Sequence, residues 1–80
     1  MAIKTADEIL ADLKVLPEYV AAEQFINTAI IPQFVAEKTN MVDVIDPKKD
    51  DMDFRRRVLF LLTKAGFTAH YHREQFCVTA

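Results

Sequence analysis

In eighty residues the chain has one cysteine, one glycine and no tryptophan. A single cysteine cannot close an internal disulfide. Packing alone must hold the fold, and a reducing compartment, the cytoplasm, is the expected home. One glycine and three prolines are too few for an all-β chain with many tight turns. The same scarcity excludes a glycine-rich phosphate loop. No stretch approaches the roughly 18 uncharged residues of a transmembrane helix. The N-terminus lacks the apolar run of a secretory signal, so neither membrane insertion nor export is expected.

Just over half the residues are apolar, too many for a disordered chain. The length suits one domain, residues 1–80, with a small core. A chain of this size buries only about 60–65% of the surface that it exposes when unfolded. The net charge of −2 argues against a protein built wholly to coat nucleic acid. The charges are nonetheless segregated. Asp43, Asp46, Asp50, Asp51 and Asp53 precede Arg55, Arg56, Arg57, Lys64 and Arg73. Acids ahead of a helix match its dipole, and ion pairs between these aspartates and the arginines are expected.

Thr5-Ala6-Asp7-Glu8 has the form of a capping box. Ala6, Ile9, Leu10, Leu13 and Leu16 then recur on one face, which predicts a helix over 6–16. Pro17 either ends it or opens a second helix. That second helix carries Ala22, Ile26, Ala29 and Ile30, widened by Tyr19, Phe25 and Phe34. Pro32 falls inside it and predicts a kink or a break near Ile31, with a stop at Thr39-Asn40. Met41–Ile45 reads either as an edge strand or as an extended, partly buried loop. Asp46–Asp50 is a turn.

Asp50 or Asp51 caps a third helix whose inward stripe is Phe54, Val58, Leu61, Leu62 and Ala65. Gly66 ends it in the left-handed conformation, with Phe67 folded back on the last turn. The remaining residues alternate as a hairpin. A turn at Arg73-Glu74 sets Tyr71 opposite Phe76, Ala69 opposite Val78 and Phe67 opposite Ala80. His70, His72, Gln75 and Cys77 then share the polar face. That turn lacks the Asn-Gly of a tight loop, and a looser loop would shift the register. The fold class is α+β: a small single domain with two N-terminal helices, the second kinked at Pro32, a central third helix and a C-terminal hairpin. Met41–Ile45 is the candidate third strand.

His70, His72 and Cys77 are three soft ligands on one predicted face, but the paired spacing of a structural zinc site is missing. No metal, no cofactor and no catalytic residue is expected. The aspartates of the turn lack the glycine and the closing glutamate of a calcium loop. Arg55–Arg57 spread over about 200° of helix, at 100° per residue, with Arg56 pointing most directly outward. Phe60 lies between Arg56 and Lys64. Either another element covers it, or it belongs to a contact surface.

The expected binding surface is therefore Arg55, Arg56, Phe60, Lys64, His70, His72 and Arg73. It would serve a small non-enzymatic protein-binding regulator or accessory protein, such as a phage-type inhibitor or adaptor. Helix 51–65 and the hairpin would meet another protein or a second copy of the chain. The alternative is a winged-helix-like nucleic-acid binder that uses Arg55–Arg57 and the hairpin. A winged helix, however, normally places its first strand between its first two helices, and here the candidate strand precedes the third.

Overall fold

The computed structural model describes residues 3–80. The capping box forms as predicted. The Thr5 hydroxyl accepts from the Glu8 amide at 3.2 Å, and the Glu8 carboxylate accepts from the Thr5 amide at 3.4 Å. Helix α1 spans Ala6–Lys14. Its apolar stripe departs from expectation, because no residue of α1 is buried. Leu10 and Leu13 are partly covered, and Ile9 is 48% exposed. The chain turns at Val15–Leu16, and Pro17 starts α2 (Pro17–Phe25) at its first position. The stripe of α1 is left beside the core rather than in it.

The expected kink at Pro32 takes the form of a π-turn. Residues Ile26–Ile30 wind wider, and the Ile31 amide donates to the Ile26 carbonyl five residues back. Helix α3 (Ile31–Ala36) then resumes, with Pro32 in its first turn. A proline ring crowds the carbonyl four residues before it, and one extra residue in the turn relieves that clash. Ala22, Ile26 and Ile30 stay buried along the bend. The helix ends at Ala36 with Glu37 as its C-cap, ahead of the predicted stop at Thr39-Asn40. Lys38 is left-handed at φ +53°, and the Thr39 amide bonds to the Phe34 carbonyl.

Asp51 caps helix α4 (Met52–Lys64), its carboxylate accepting from the Phe54 amide at 3.0 Å. Phe54, Val58, Leu61 and Leu62 are buried as predicted. Ala65 is not, because it sits at the C-cap where the chain leaves the helix. Gly66 follows at φ +99°, and the Phe67 amide bonds back to the Leu62 carbonyl at 3.0 Å. The two helix stops bring the Phe34 and Phe67 rings into a stack, 5.7 Å between centres.

Met41–Ile45 is strand β1, which decides between its two readings. Thr68–His72 is β2 and Gln75–Thr79 is β3. The sheet order is β1-β3-β2, and both neighbours run antiparallel to β3. β1 and β2 are therefore parallel to one another, with α4 as their crossover and β3 in the gap. That is a split β-α-β unit. The predicted pairs Tyr71–Phe76 and Ala69–Val78 are present. Phe76 and Val78 reach the core together with Val42, Phe54, Val58 and Leu62. Among the described residues no helix is long and apolar enough to cross a membrane.

The hairpin keeps a two-residue turn without glycine. Arg73 and Glu74 take φ +51° and +62°, the type I′ geometry. Two contacts hold it. β1 pairs along all of β3, and the Asp46 amide donates to the Glu74 carbonyl at 2.9 Å. Replacing Arg73-Glu74 by Asn-Gly removes strain of about 1–2 kcal/mol per residue. The exposed Lys49–Glu74 pair at 3.8 Å is lost with it, at a cost of about 0–1 kcal/mol. With about 0.5–1 kcal/mol lost to the glycine's extra chain entropy, thermal melts should show the double variant stabilised by about 1–3 kcal/mol. A lower melting temperature would mean that the turn is built otherwise.

Candidate protein-interaction surfaces

The fold divides the predicted surface into three. α4 lies on the inner side of the sheet, where it buries Phe54, Val58, Leu61 and Leu62. Along β2 the side chains alternate, so Ala69 and Tyr71 face the core while His70 and His72 stand exposed on the far face. Arg73 sits exposed at the hairpin tip. Arg55, Arg56, Phe60 and Lys64 remain together on α4, but not as a free cationic patch. The Arg55 guanidinium lies 3.8 Å over the Tyr71 ring centre, and its Nη2 donates to the Lys49 carbonyl at 3.3 Å. Its Nε is buried without a partner among the described residues. Arg57 lies over Tyr19 at 5.8 Å, which leaves Arg56 as the exposed member of the run.

The expected ion pairs between these arginines and the preceding aspartates do not form among the described residues. Asp51 is occupied as a helix cap, Asp46 is buried, and the arginines lie on aromatic faces instead. Phe60 is covered only in part. Tyr19 of α2 meets it edge-to-face at 6.5 Å and Lys64 lies over it at 5.9 Å, yet the ring stays 36% exposed.

Sequence reasoning missed Asp46 as a structural centre. It is 3% exposed, a buried carboxylate in a loop. The Lys48 amide donates to its Oδ1 at 2.8 Å, and the Tyr71 hydroxyl donates to its Oδ2 at 3.0 Å. One side chain thus ties the β1–α4 loop to β2. The signal was the Asp-Pro pair, which favours an aspartate-initiated turn. Burial pushes the Tyr71 phenol above its ordinary range, the Asp46 hydrogen bond and charge add to the shift, and Arg55 offsets part of it. A phenol held protonated in the fold stabilises it below the unfolded value near 10, and that contribution is lost as the pH climbs through the folded value.

Two outcomes follow. Asp46→Ala leaves the Lys48 amide and the part-buried Tyr71 hydroxyl without their charged acceptor and should cost about 1–3 kcal/mol in chemical denaturation. Tyr71→Phe should flatten the loss of stability above pH 10. An alkaline profile unchanged by that substitution would remove Tyr71 from this role.

On the open face of the sheet, Cys77 lies between Asp43 and His70, and His72 stands opposite Gln75. No group of three or more His, Cys, Asp or Glu among the described residues is arranged to hold a metal. Burial and then Asp43 push the Cys77 thiol up, which disfavours the nucleophilic thiolate.

Two further features stand outside the expected binding surface. An open cleft of about 590 Å³ lies between α1 and the end of α4. Ile26, Leu61 and Phe67 form its apolar floor, Leu10 lies on the α1 side, and Asp7 and Lys64 carry charge at its margin. The other feature is the outer edge of β1, where Met41 and Ile45 are 64% and 70% exposed. The chain matches no protein-family model, no curated protein and no solved structure. Its function has to be read from these surfaces.

Proposed function

We propose that the chain is a small, non-enzymatic protein-binding domain of the cytoplasm, a regulator or accessory protein whose docking element is α1 with the cleft beside it. One observation carries this reading: α1 is an amphipathic helix with a complete N-terminal capping box, and its stripe contributes no buried residue. A nine-residue helix is marginal in water without a surface to pack on. A domain this small has little apolar surface to leave unused. Leu10 with the cleft floor forms the kind of groove that takes an amphipathic helix, and Ile9 and Leu13 extend the apolar surface of α1 outside the cleft. The flanks carry Asp7, Glu8, Asp12, Glu18 and Glu23 against Lys4 and Lys14, which favours a partner with basic flanking residues. That acidity also weighs against nucleic acid, and of the arginine run only Arg56 is exposed.

The full chain, immobilised, should retain the same protein repeatedly from an extract of its source cells. Ile9→Asp with Leu13→Asp should lose that protein while stability changes by only about 0.5 kcal/mol, as for residues outside the core. Light scattering tells a foreign partner from a second copy, since a wild-type dimer that the variant dissolves would make the partner this chain itself. Retention undiminished in the variant, or no specific retention by the wild type, would defeat the reading.

A further inference from the structure

The outer edge of β1 goes beyond that reading, because it lies on another element and needs no docking at α1. An edge strand carries unpaired backbone donors and acceptors, and proteins usually blunt such an edge with charged side chains, lysine above all, or with proline, a bulge or a covering element; here the one charge is Asp43. β1 contains neither lysine nor proline, and it pairs with β3 through five consecutive residues without a bulge. Its ladder can be phased from its ends. The Ala80 amide donates to the Asn40 carbonyl, and the Asp46 amide donates to the Glu74 carbonyl. In an antiparallel pair, bonded positions alternate. Val42 and Val44 therefore bond to β3, while Met41, Asp43 and Ile45 turn their amides and carbonyls outward. The Met41 amide is taken by the Thr39 hydroxyl at 3.2 Å. The amides and carbonyls of Asp43 and Ile45 remain for an incoming strand.

The same three residues also point their side chains to the open face. Met41 and Ile45 are largely exposed apolar groups. Asp43 stands between them, exposed and without an ion pair among the described residues. Directly opposed residues of an antiparallel pair share a face, and opposite charges there attract while like charges repel. Full-length pairing of β1 with β1 of a second copy would set Asp43 against Asp43, which disfavours self-pairing. The other edge, β2, presents Thr68, His70 and His72 and offers no large apolar side chain.

We infer that the outer edge of β1 is a strand-addition site for an extended peptide of the pattern apolar–x–basic–x–apolar, with the basic residue opposite Asp43 and the apolar residues against Met41 and Ile45. Backbone bonds supply the grip and the three opposed side chains supply the choice, as in other cases of β-augmentation.

The test uses the full chain, isotopically labelled, and a short blocked peptide with Ile-Thr-Lys-Thr-Val at its centre. Amide shifts in an NMR titration should centre on Asp43 and Ile45. A peptide with Glu in place of Lys should bind about three- to tenfold more weakly. Asp43→Lys, a change at an exposed position, should reverse that preference. N-methylation of the peptide amides that face β1 should abolish binding. Shifts centred on β2, equal binding of the Lys and Glu peptides, a preference unmoved by Asp43→Lys, or binding that survives N-methylation would each overturn the proposal. So would no binding at all, or a dimer of the free chain formed through β1.

Discussion

The fold depends on one insertion, the placement of β3 between β1 and β2. A hairpin of β2 and β3 alone is marginal in water, and β1 alone has nothing to bond to. β3 completes both pairings. It also sends Phe76 and Val78 into the core, where Phe76 meets Phe25 at 5.7 Å and Tyr71 at 5.3 Å. Through Phe25 that aromatic contact continues to Phe54 of α4 at 5.5 Å. The crossover helix, the sheet and the bent helix are joined at this one strand. The pairing of β1 with β3 is non-local, so its loop-closure entropy must be met before the contacts repay it.

The insertion explains why the strained hairpin turn survives. Lys38, Arg73 and Glu74 hold left-handed backbone without being glycine. Such conformations persist where the surroundings over-determine them. Helix-end bonds fix Lys38, and the β1–β3 ladder with the Asp46 amide fixes the hairpin turn. Asp46 adds a second tie through Tyr71, close to the place where Arg55 lies over the same ring. Its carboxylate does local structural work in a loop whose composition suggests only solvated charge.

What was legible in the sequence was what local rules decide. Thr5 with Glu8, Asp51, and Gly66 with Phe67 marked helix ends because capping acts over three or four residues. The alternation from Phe67 onward marked the hairpin and its faces because the side-chain period of a strand is two. What could not be read was how elements meet. Periodicity placed Ile9, Leu10 and Leu13 on one stripe but could not say that the corner at Leu16 would leave that stripe outside the core. The crowding at Pro32 was foreseeable, but its relief by a π-turn depends on packing at Ile26 and Ile30. His70 and His72 fell on the predicted polar face. Their separation from α4 follows from which side of the sheet α4 covers, and no local pattern carries that.

Residue-by-residue amide hydrogen exchange on the isolated chain bears most directly on the central claim that β3 organises the domain and leaves α1 and the outer edge of β1 uncovered. The account predicts the slowest exchange in β3 and the core face of α4, slow exchange at Val42 and Val44, and fast exchange at Asp43, Ile45 and throughout α1. Strong protection at Asp43 and Ile45, or protection of α1 equal to that of β3, would contradict it.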